Sequence, residues 1–183
     1  MSMKKDIAVA ASVLFAFAFV ATVFGQAPSG PPKPGPEQQK LAYFAGKWAS
    51  EGETKPSALG PGTKFTFTET CEWFSGGFAL VCHSDGKIPE GTFSELSIMG
   101  YDPGEKTYVY FGTNNFGENE FFRGTEEGGT WTWTNESKMN GKAVHARFTL
   151  KQVSADASTS KFEMSMGDEP LKVIMEGKQT RVK

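Results

Sequence analysis

The stretch Thr63–Ser84, TKFTFTETCEWFSGGFALVCHS, contains two β-rich runs joined by a pair of glycines. Apolar and polar residues alternate along its first half, as they do in a β-strand with one buried face. The Gly76-Gly77 pair predicts a two-residue hairpin turn, because such turns need positive φ. In that register Cys71 lies opposite Cys82, at a hydrogen-bonded position with Cα atoms about 5.5 Å apart. A disulfide accepts this spacing, so a Cys71–Cys82 bridge is predicted.

Short β-rich runs continue from this hairpin to the C-terminus. They are separated by turn signals at intervals of ten or so residues, among them DPGEK, NFGEN, EEGG and KMNG. A helical period is expected only in EQQKLAYFA, residues 37–45. The pattern therefore predicts an all-β, antiparallel, up-and-down barrel of about 8–10 strands with a short N-terminal helix, because closure removes exposed sheet edges.

The N-terminus has the three parts of a secretory signal. A short cationic start precedes the apolar run Ile7–Phe24, and the small residues of GQA follow, with cleavage expected after Gly25 or Ala27. We predict a signal peptide at 1–27 and a bacterial protein that is secreted or periplasmic, without stable membrane insertion after cleavage. The run could also span a bilayer, so an uncleaved anchor is the alternative.

Two further segments follow the signal. Residues 28–36 hold five prolines and are predicted to be an extended linker, because proline at this density disfavours helix and strand. Residues 37–183 are then long enough for one barrel domain with its own core. The formal net charge is −2, without the basic stripe that nucleic acid requires, so no nucleic-acid partner is predicted. The oligomeric state stays open.

The tripeptide Gly46-Lys47-Trp48, after the helical segment and at the first strand, resembles the Gly-x-Trp signature of the calycin superfamily. That superfamily includes the lipocalins, the fatty-acid-binding proteins and the nitrobindin-like barrels. The resemblance implies that the Trp48 ring plugs the closed end of the barrel, covered by a cationic side chain from near the C-terminus. Arg181 is the candidate for that side chain by its position.

A longer resemblance covers the chain from about Leu41 to its end. LAYFAGKW, TCEWFSGGFALVCHSDG, LSIMGYDPGEKTYVYFGTNN and TWTWTNESKMNGKAVHARFTLKQVS are together similar to a bacterial family of lipocalin-like domains of unknown function, number 1579. The resemblance implies a secreted calycin-type barrel. The family carries no catalytic motif, so no catalytic residue is transferred from it.

Histidine ligation is the main alternative chemistry, since nitrobindin-like barrels hold haem through an axial histidine. The chain has two histidines. Cys82 is predicted to face inward, so its neighbour His83 faces outward. Val144 and Ala146 are also predicted to face inward, so His145 between them faces outward. Two outward imidazoles cannot ligate a buried iron and do not complete a zinc site. No metal, cofactor or catalytic residue is therefore predicted.

The predicted function is the binding of a small apolar or amphipathic ligand inside the barrel, oriented by Glu69 or Tyr110. The expected ligand-binding residues are Phe67, Glu69, Trp73, Leu80, Tyr110, Phe148 and Met164. Two alternatives stay open, because composition does not separate a lined cavity from a filled core. One is a structural or interaction barrel of the cell envelope. The other is a small-molecule enzyme that uses Glu69 or Glu95 as acid or base.

Overall fold

A computed structural model describes residues 30–57, 60–88, 91–139 and 141–183. The chain divides into Met1–Pro32 and Lys33–Lys183, and all described helices and strands lie in the second part. The predicted signal peptide at 1–27 lies outside the described residues. Among the residues described, no helix has the length and apolar character needed to cross a membrane.

One short helical segment precedes the barrel. Helix α1 spans Pro36–Lys40 and is followed by a 3-10 turn at Leu41–Tyr43. Pro36 occupies the first helical turn, where its missing N–H costs nothing. The last residue of the predicted linker therefore belongs to the helix. At the N-cap, the Gly35 N–H donates to Gln38 Oε1 at 3.0 Å.

Ten strands follow within the described residues. They are β1 Gly46–Thr54, β2 Lys64–Trp73, β3 Ala79–Ile88, β4 Gly91–Asp102, β5 Thr107–Asn114, β6 Asn119–Glu127, β7 Thr130–Met139, β8 Lys142–Ser154, β9 Ala157–Met166 and β10 Lys172–Arg181. Each strand pairs antiparallel with its neighbours in the chain, and β1 also pairs with β10 to close the wall. The prediction of an antiparallel up-and-down barrel is confirmed.

The first hairpin keeps its predicted register but has a longer turn. The strands end at Trp73 and resume at Ala79, and the Phe74 N–H donates to the Ala79 carbonyl at 2.9 Å. Hydrogen-bonded and non-hydrogen-bonded pairs alternate from there. The prediction of a hydrogen-bonded cysteine pair is wrong, because this turn shifts the alternation by one step. Cys71 and Cys82 form the disulfide with Cα atoms 4.0 Å apart.

The end of the barrel that carries α1 is called the helical end, and the opposite end, with the β1–β2 and β5–β6 loops, is called the far end. A buried aromatic core fills the helical end. The Trp131 ring contacts Phe44 and Tyr108 at centroid distances of 4.8 and 4.7 Å, and stacks on Trp133. The Tyr108 hydroxyl donates to Glu37 Oε2 at 2.7 Å, which ties the helix to the wall.

Candidate functional site

The helical end is sealed by an indole and a guanidinium. Trp48 is 2% exposed, and its Nε1 donates to the Phe44 carbonyl at 3.0 Å. The Arg181 guanidinium lies 4.3 Å from the Trp48 ring centroid and donates to the carbonyls of Tyr43 and Ala45. Gly46 has φ of +105°, and a Cβ there would contact the Arg181 guanidinium at 2.9 Å. The Gly-x-Trp spacing thus gives the guanidinium access to the ring and to the end of the helical segment.

A cavity of about 370 Å³ lies inside the wall between this seal and the far end. Apolar side chains make up most of its lining: Phe44, Phe65, Phe67, Phe93, Met99, Phe122, Trp133, Phe148, Leu150, Phe162 and Met175. The polar lining residues are Ser50, Glu69, Ser84, Glu95, Tyr110, Glu120, Ser160 and Gln179. The volume is in the range of small-molecule sites.

Glycines opposite aromatic residues shape the wall of the cavity. Gly86 pairs with Phe67 across β2 and β3, and a Cβ at residue 86 would overlap the Phe67 ring. Gly124 and Trp133 form a similar pair across β6 and β7. A ring that lies over a glycine covers backbone without filling the centre of the barrel. These pairs therefore keep apolar surface on the wall while leaving space inside.

Glu69 faces the cavity from β2, two residues before Cys71 on the same inward face of the strand. Its carboxylate accepts a hydrogen bond from Ser84 Oγ at 3.1 Å. The residue is only partly buried by area, but the surface that remains faces the cavity. Desolvation therefore raises the pKa of Glu69, the Ser84 hydrogen bond opposes the rise, and the charge of Glu95 adds to it.

Glu95 on β4 forms a hydrogen-bonded pair with Tyr110 on β5, whose hydroxyl donates to Glu95 Oε1. Desolvation raises the pKa of Glu95 and also that of Tyr110, where the adjacent Glu95 contributes further. Gly112 provides room for the pair, because a Cβ at that residue would lie 3.0 Å from the Tyr110 ring and 3.3 Å from Glu95 Oε1. The pair offers a proton acceptor and a hydroxyl side by side.

Glu120 on β6 is the third carboxyl of the cavity. It makes no hydrogen bond or ion pair with the described residues. The residue is exposed by area where the cavity opens, yet protein surrounds its carboxyl closely enough that desolvation, with repulsion from Glu95 and Glu118, raises its pKa to about 7. We refer to Glu69, Glu95 and Glu120 as the cavity carboxyls.

The structure places four of the predicted ligand-binding residues in the cavity lining: Phe67, Glu69, Tyr110 and Phe148. Trp73, Leu80 and Met164 do not line the cavity. Trp73 lies beyond the disulfide at the helical end and is 39% exposed, and its partner Leu80 is fully buried in the core beneath the cavity. Met164 lies two residues after Phe162 on β9, closer to the far end. The strands are longer than the cavity, so inward alternation alone did not separate these positions.

Sequence reasoning missed Glu120 and several aromatic residues of the lining. A signal was present, because each cavity carboxyl is two residues from a phenylalanine on the same strand: Phe67 with Glu69, Phe93 with Glu95, and Glu120 with Phe122. Residues two apart on a strand share a face.

Both histidines lie on the outer surface. His83 is exposed, and His145 Nδ1 lies 3.5 Å from Glu136 Oε1, with 46% of its side chain exposed. Potential ligand atoms of Glu69, Cys71 and Cys82 lie within 4.8 Å of one another, but the disulfide occupies both sulfurs. The oxidised protein therefore has no thiolate to offer at this cluster.

The closed ten-stranded wall and its indole seal define a lipocalin-like barrel. Residues 33–181 match the family described as Protein of unknown function (DUF1579), and the chain belongs to this family. No curated protein sequence matches it significantly. Among solved structures, that of Rv2717c from M. tuberculosis is similar, with a TM-score of 0.57, 15% identity, and coverage of 82% of this chain and 100% of that one. At this identity the likeness extends to the fold alone.

Proposed function

We propose that this barrel binds a small molecule with an apolar body inside the cavity. The observation that carries the proposal is a cavity of about 370 Å³ with a largely aromatic wall. Burial of apolar ligand surface there contributes about 25 cal/mol for each Å² removed from water. The cavity also favours a binding role over the alternative of a structural barrel with a filled core.

The test is a fluorescence titration with N-phenyl-1-naphthylamine, a neutral apolar probe. Saturable binding with one probe per chain is expected. Ser160 lines the cavity on β9, whereas the adjacent Thr159 is exposed on the outer face. Ser160→Phe should weaken binding at least tenfold by filling the cavity, and the matched control Thr159→Phe should leave it unchanged. Equal binding by both variants would place the probe elsewhere and contradict the proposal.

A second candidate is acid–base chemistry on a bound small molecule. It is supported by the Glu95–Tyr110 pair, in which a desolvated carboxyl adjoins a hydroxyl at the cavity wall. The test compares host small-molecule extracts incubated with wild type, Glu95→Gln and Tyr110→Phe. A compound consumed by the wild type and by neither variant supports catalysis. If no compound is consumed but the probe binds, catalysis is rejected and only the binding role is supported.

We also propose that the mature barrel acts outside the cytoplasm. Support comes from the apolar run Ile7–Phe24 behind a cationic start, and from a disulfide of the kind that oxidising compartments preserve. Mass spectrometry of the protein from a periplasmic or culture-medium fraction is expected to find a mature N-terminus at Gln26 or Pro28. An intact Met1 in a membrane fraction would instead indicate an uncleaved anchor.

A further inference from the structure

The charge inside the cavity has one sign. Among the described residues that line it, the cavity carboxyls are the only carboxylic acids, and none is lysine, arginine or histidine. Two cations near the ends of the barrel are engaged outside the cavity. Lys40 contacts Glu37 and Glu126 at the helical end, and Lys55 contacts Glu53 and Glu176 near the far end. Ionisation of the cavity carboxyls is therefore not balanced by the protein itself.

The three carboxyls lie on alternate strands of the wall, β2, β4 and β6. Glu95 raises the pKa of both Glu69 and Glu120, so it lies at the centre of the group. Their immediate surroundings add hydroxyls, from Ser84 and Tyr110, and a further negative charge from Glu118 at the far end. No titratable group that faces them in the described residues is positive. Ionised carboxylates without a positive partner are costly to bury, and a bound cation would lower that cost.

A polar atom next to this group also has no hydrogen-bond partner. Ser97 is 1% exposed and shares the inward face of β4 with Glu95 and Met99, both of which line the cavity. Its Oγ makes no hydrogen bond of acceptable geometry, although it is close enough to Tyr110 to oppose the rise in that hydroxyl's pKa. Ser97 does not itself line the cavity, and Trp131 Nε1 in the packed core is also without a partner, so this hydroxyl adds polarity beside the cavity carboxyls and is not a ligand contact.

Aromatic rings accompany each carboxyl. Because Phe67, Phe93 and Phe122 each lie two residues from a cavity carboxyl on the same strand, ring and carboxyl face the cavity together. The face of an aromatic ring attracts a cation, and the attraction grows when water is excluded. Carboxylates beside aromatic rings are the chemistry that recognises organic ammonium groups.

We propose that the ligand of this cavity is a cationic amphiphile, an organic ammonium with an aromatic or branched apolar body, whose charge lies between Glu95 and Glu120. This inference rests on the proposed binding function and adds the chemical class of the ligand. Glu69 lies deeper, beside the disulfide, and extends the negative surface towards the helical end. The apolar body lies against the phenylalanines of the wall. An anionic amphiphile such as a fatty acid is disfavoured by the same carboxyls.

The experiment uses a matched pair of ligands, phenyltrimethylammonium and tert-butylbenzene, which differ by a charged nitrogen in place of a carbon. The displacement of N-phenyl-1-naphthylamine by each ligand is measured on the complete mature protein at pH 8 and at pH 5. At pH 8 the cation should bind at least tenfold more tightly than its neutral isostere. At pH 5 this preference should fall at least fivefold, because the ligand keeps its charge while Glu120 becomes protonated.

Variants assign the preference to the carboxyls. Glu95→Gln/Glu120→Gln should reduce it to threefold or less while the neutral isostere binds within twofold of wild type. Glu120→Gln alone breaks no contact and is expected to lower the preference by an intermediate factor. The control Glu72→Gln removes an exposed charge from the outer face of β2 and should change nothing.

The outcomes separate the two proposals. If the neutral probe binds but cation and isostere compete equally, the cavity binds ligands and the inference about charge is overturned. A cation preference that survives in the double variant also overturns it. If neither the probe nor either ligand binds, the proposed function fails, and the inference fails with it.

Discussion

The helical end and the cavity of this barrel treat their charged groups in opposite ways. At the helical end, the Trp48 indole, the Arg181 guanidinium and the Tyr108 hydroxyl all have partners, and the rings between them are closely packed. In the cavity, carboxyls meet one another without a cation, and apolar rings border open space. The helical end pairs its charges, whereas the cavity retains carboxyls whose burial reduces stability.

Removal of the Trp48 indole should cause the largest loss of stability. Trp48→Ala is expected to lower the free energy of unfolding by about 3–5 kcal/mol, because it empties a fully packed site. Phe93→Ala in the cavity should lose less than half as much, since the Phe93 ring already lacks neighbours on its open side. Denaturant unfolding of both variants measures this. Equal losses would mean that the cavity is packed like the helical end.

The disulfide lies where the two regions meet. Cys71→Ala/Cys82→Ala should lower the free energy of unfolding by about 2–4 kcal/mol, because the bridge restricts the unfolded chain. Binding of N-phenyl-1-naphthylamine should stay within twofold of wild type, since neither sulfur lines the cavity. Chemical unfolding with and without dithiothreitol gives the comparison, and reductant should not affect the variant. A loss of probe binding at unchanged stability would reverse the roles assigned here.

Arg181 allows a sharper comparison on a single strand. Arg181→Leu should lower the free energy of unfolding by about 1.5–3 kcal/mol, because two carbonyls and the Trp48 face lose a charged partner. Lys178 on the same strand forms an exposed ion pair with Glu51 at 2.8 Å, so Lys178→Leu should cost much less than Arg181→Leu, because solvent screens the pair. Thermal unfolding followed by circular dichroism distinguishes them. Similar losses of stability in the two variants would mean that Arg181 does not stabilise the helical end.

The smallest effect is a dependence of stability on pH from Glu120. Below pH about 4.5 its carboxyl is protonated in both the folded and the unfolded chain. Between pH 4.5 and 7 the unfolded chain releases the proton while the folded chain keeps it, so the free energy of unfolding falls as pH rises. Above pH 7 this contribution is constant.

Glu120→Gln should therefore make the fall in stability between pH 5 and pH 8 shallower than in wild type, as measured by thermal unfolding across that range. If the variant keeps the wild-type slope, Glu120 ionises as freely as a surface carboxyl.

Much of the barrel could be predicted from alternation and turns. The hairpin register, the cysteine pairing and the antiparallel closed wall follow from apolar residues two apart and from glycine-rich turns. The length of the first turn did not follow, because Gly76-Gly77 suits more than one loop. That single ambiguity placed the cysteines at the wrong kind of pair while leaving their partners correct.

The cavity was less accessible to prediction. Alternation identifies which side chains face inward, as it did for Phe67, Glu69 and Phe148, but not how far along the axis the open space extends. Trp73 and Leu80 face the same interior and lie at or beyond the filled core. Glu120 acquires its raised pKa from desolvation, and from repulsion by Glu95 and Glu118, all of which depend on how the folded strands surround its carboxyl.

The contrast between the two regions is tested most directly by a titration of glutamate side-chain carboxyls with carbon-13 NMR, with single Glu→Gln variants for assignment. We expect Glu69, Glu95 and Glu120 to titrate above the ordinary value of 4.5, with Glu120 near 7. If all three titrate at or below 4.5, the cavity is an ordinary hydrated surface and the contrast between the two regions is false.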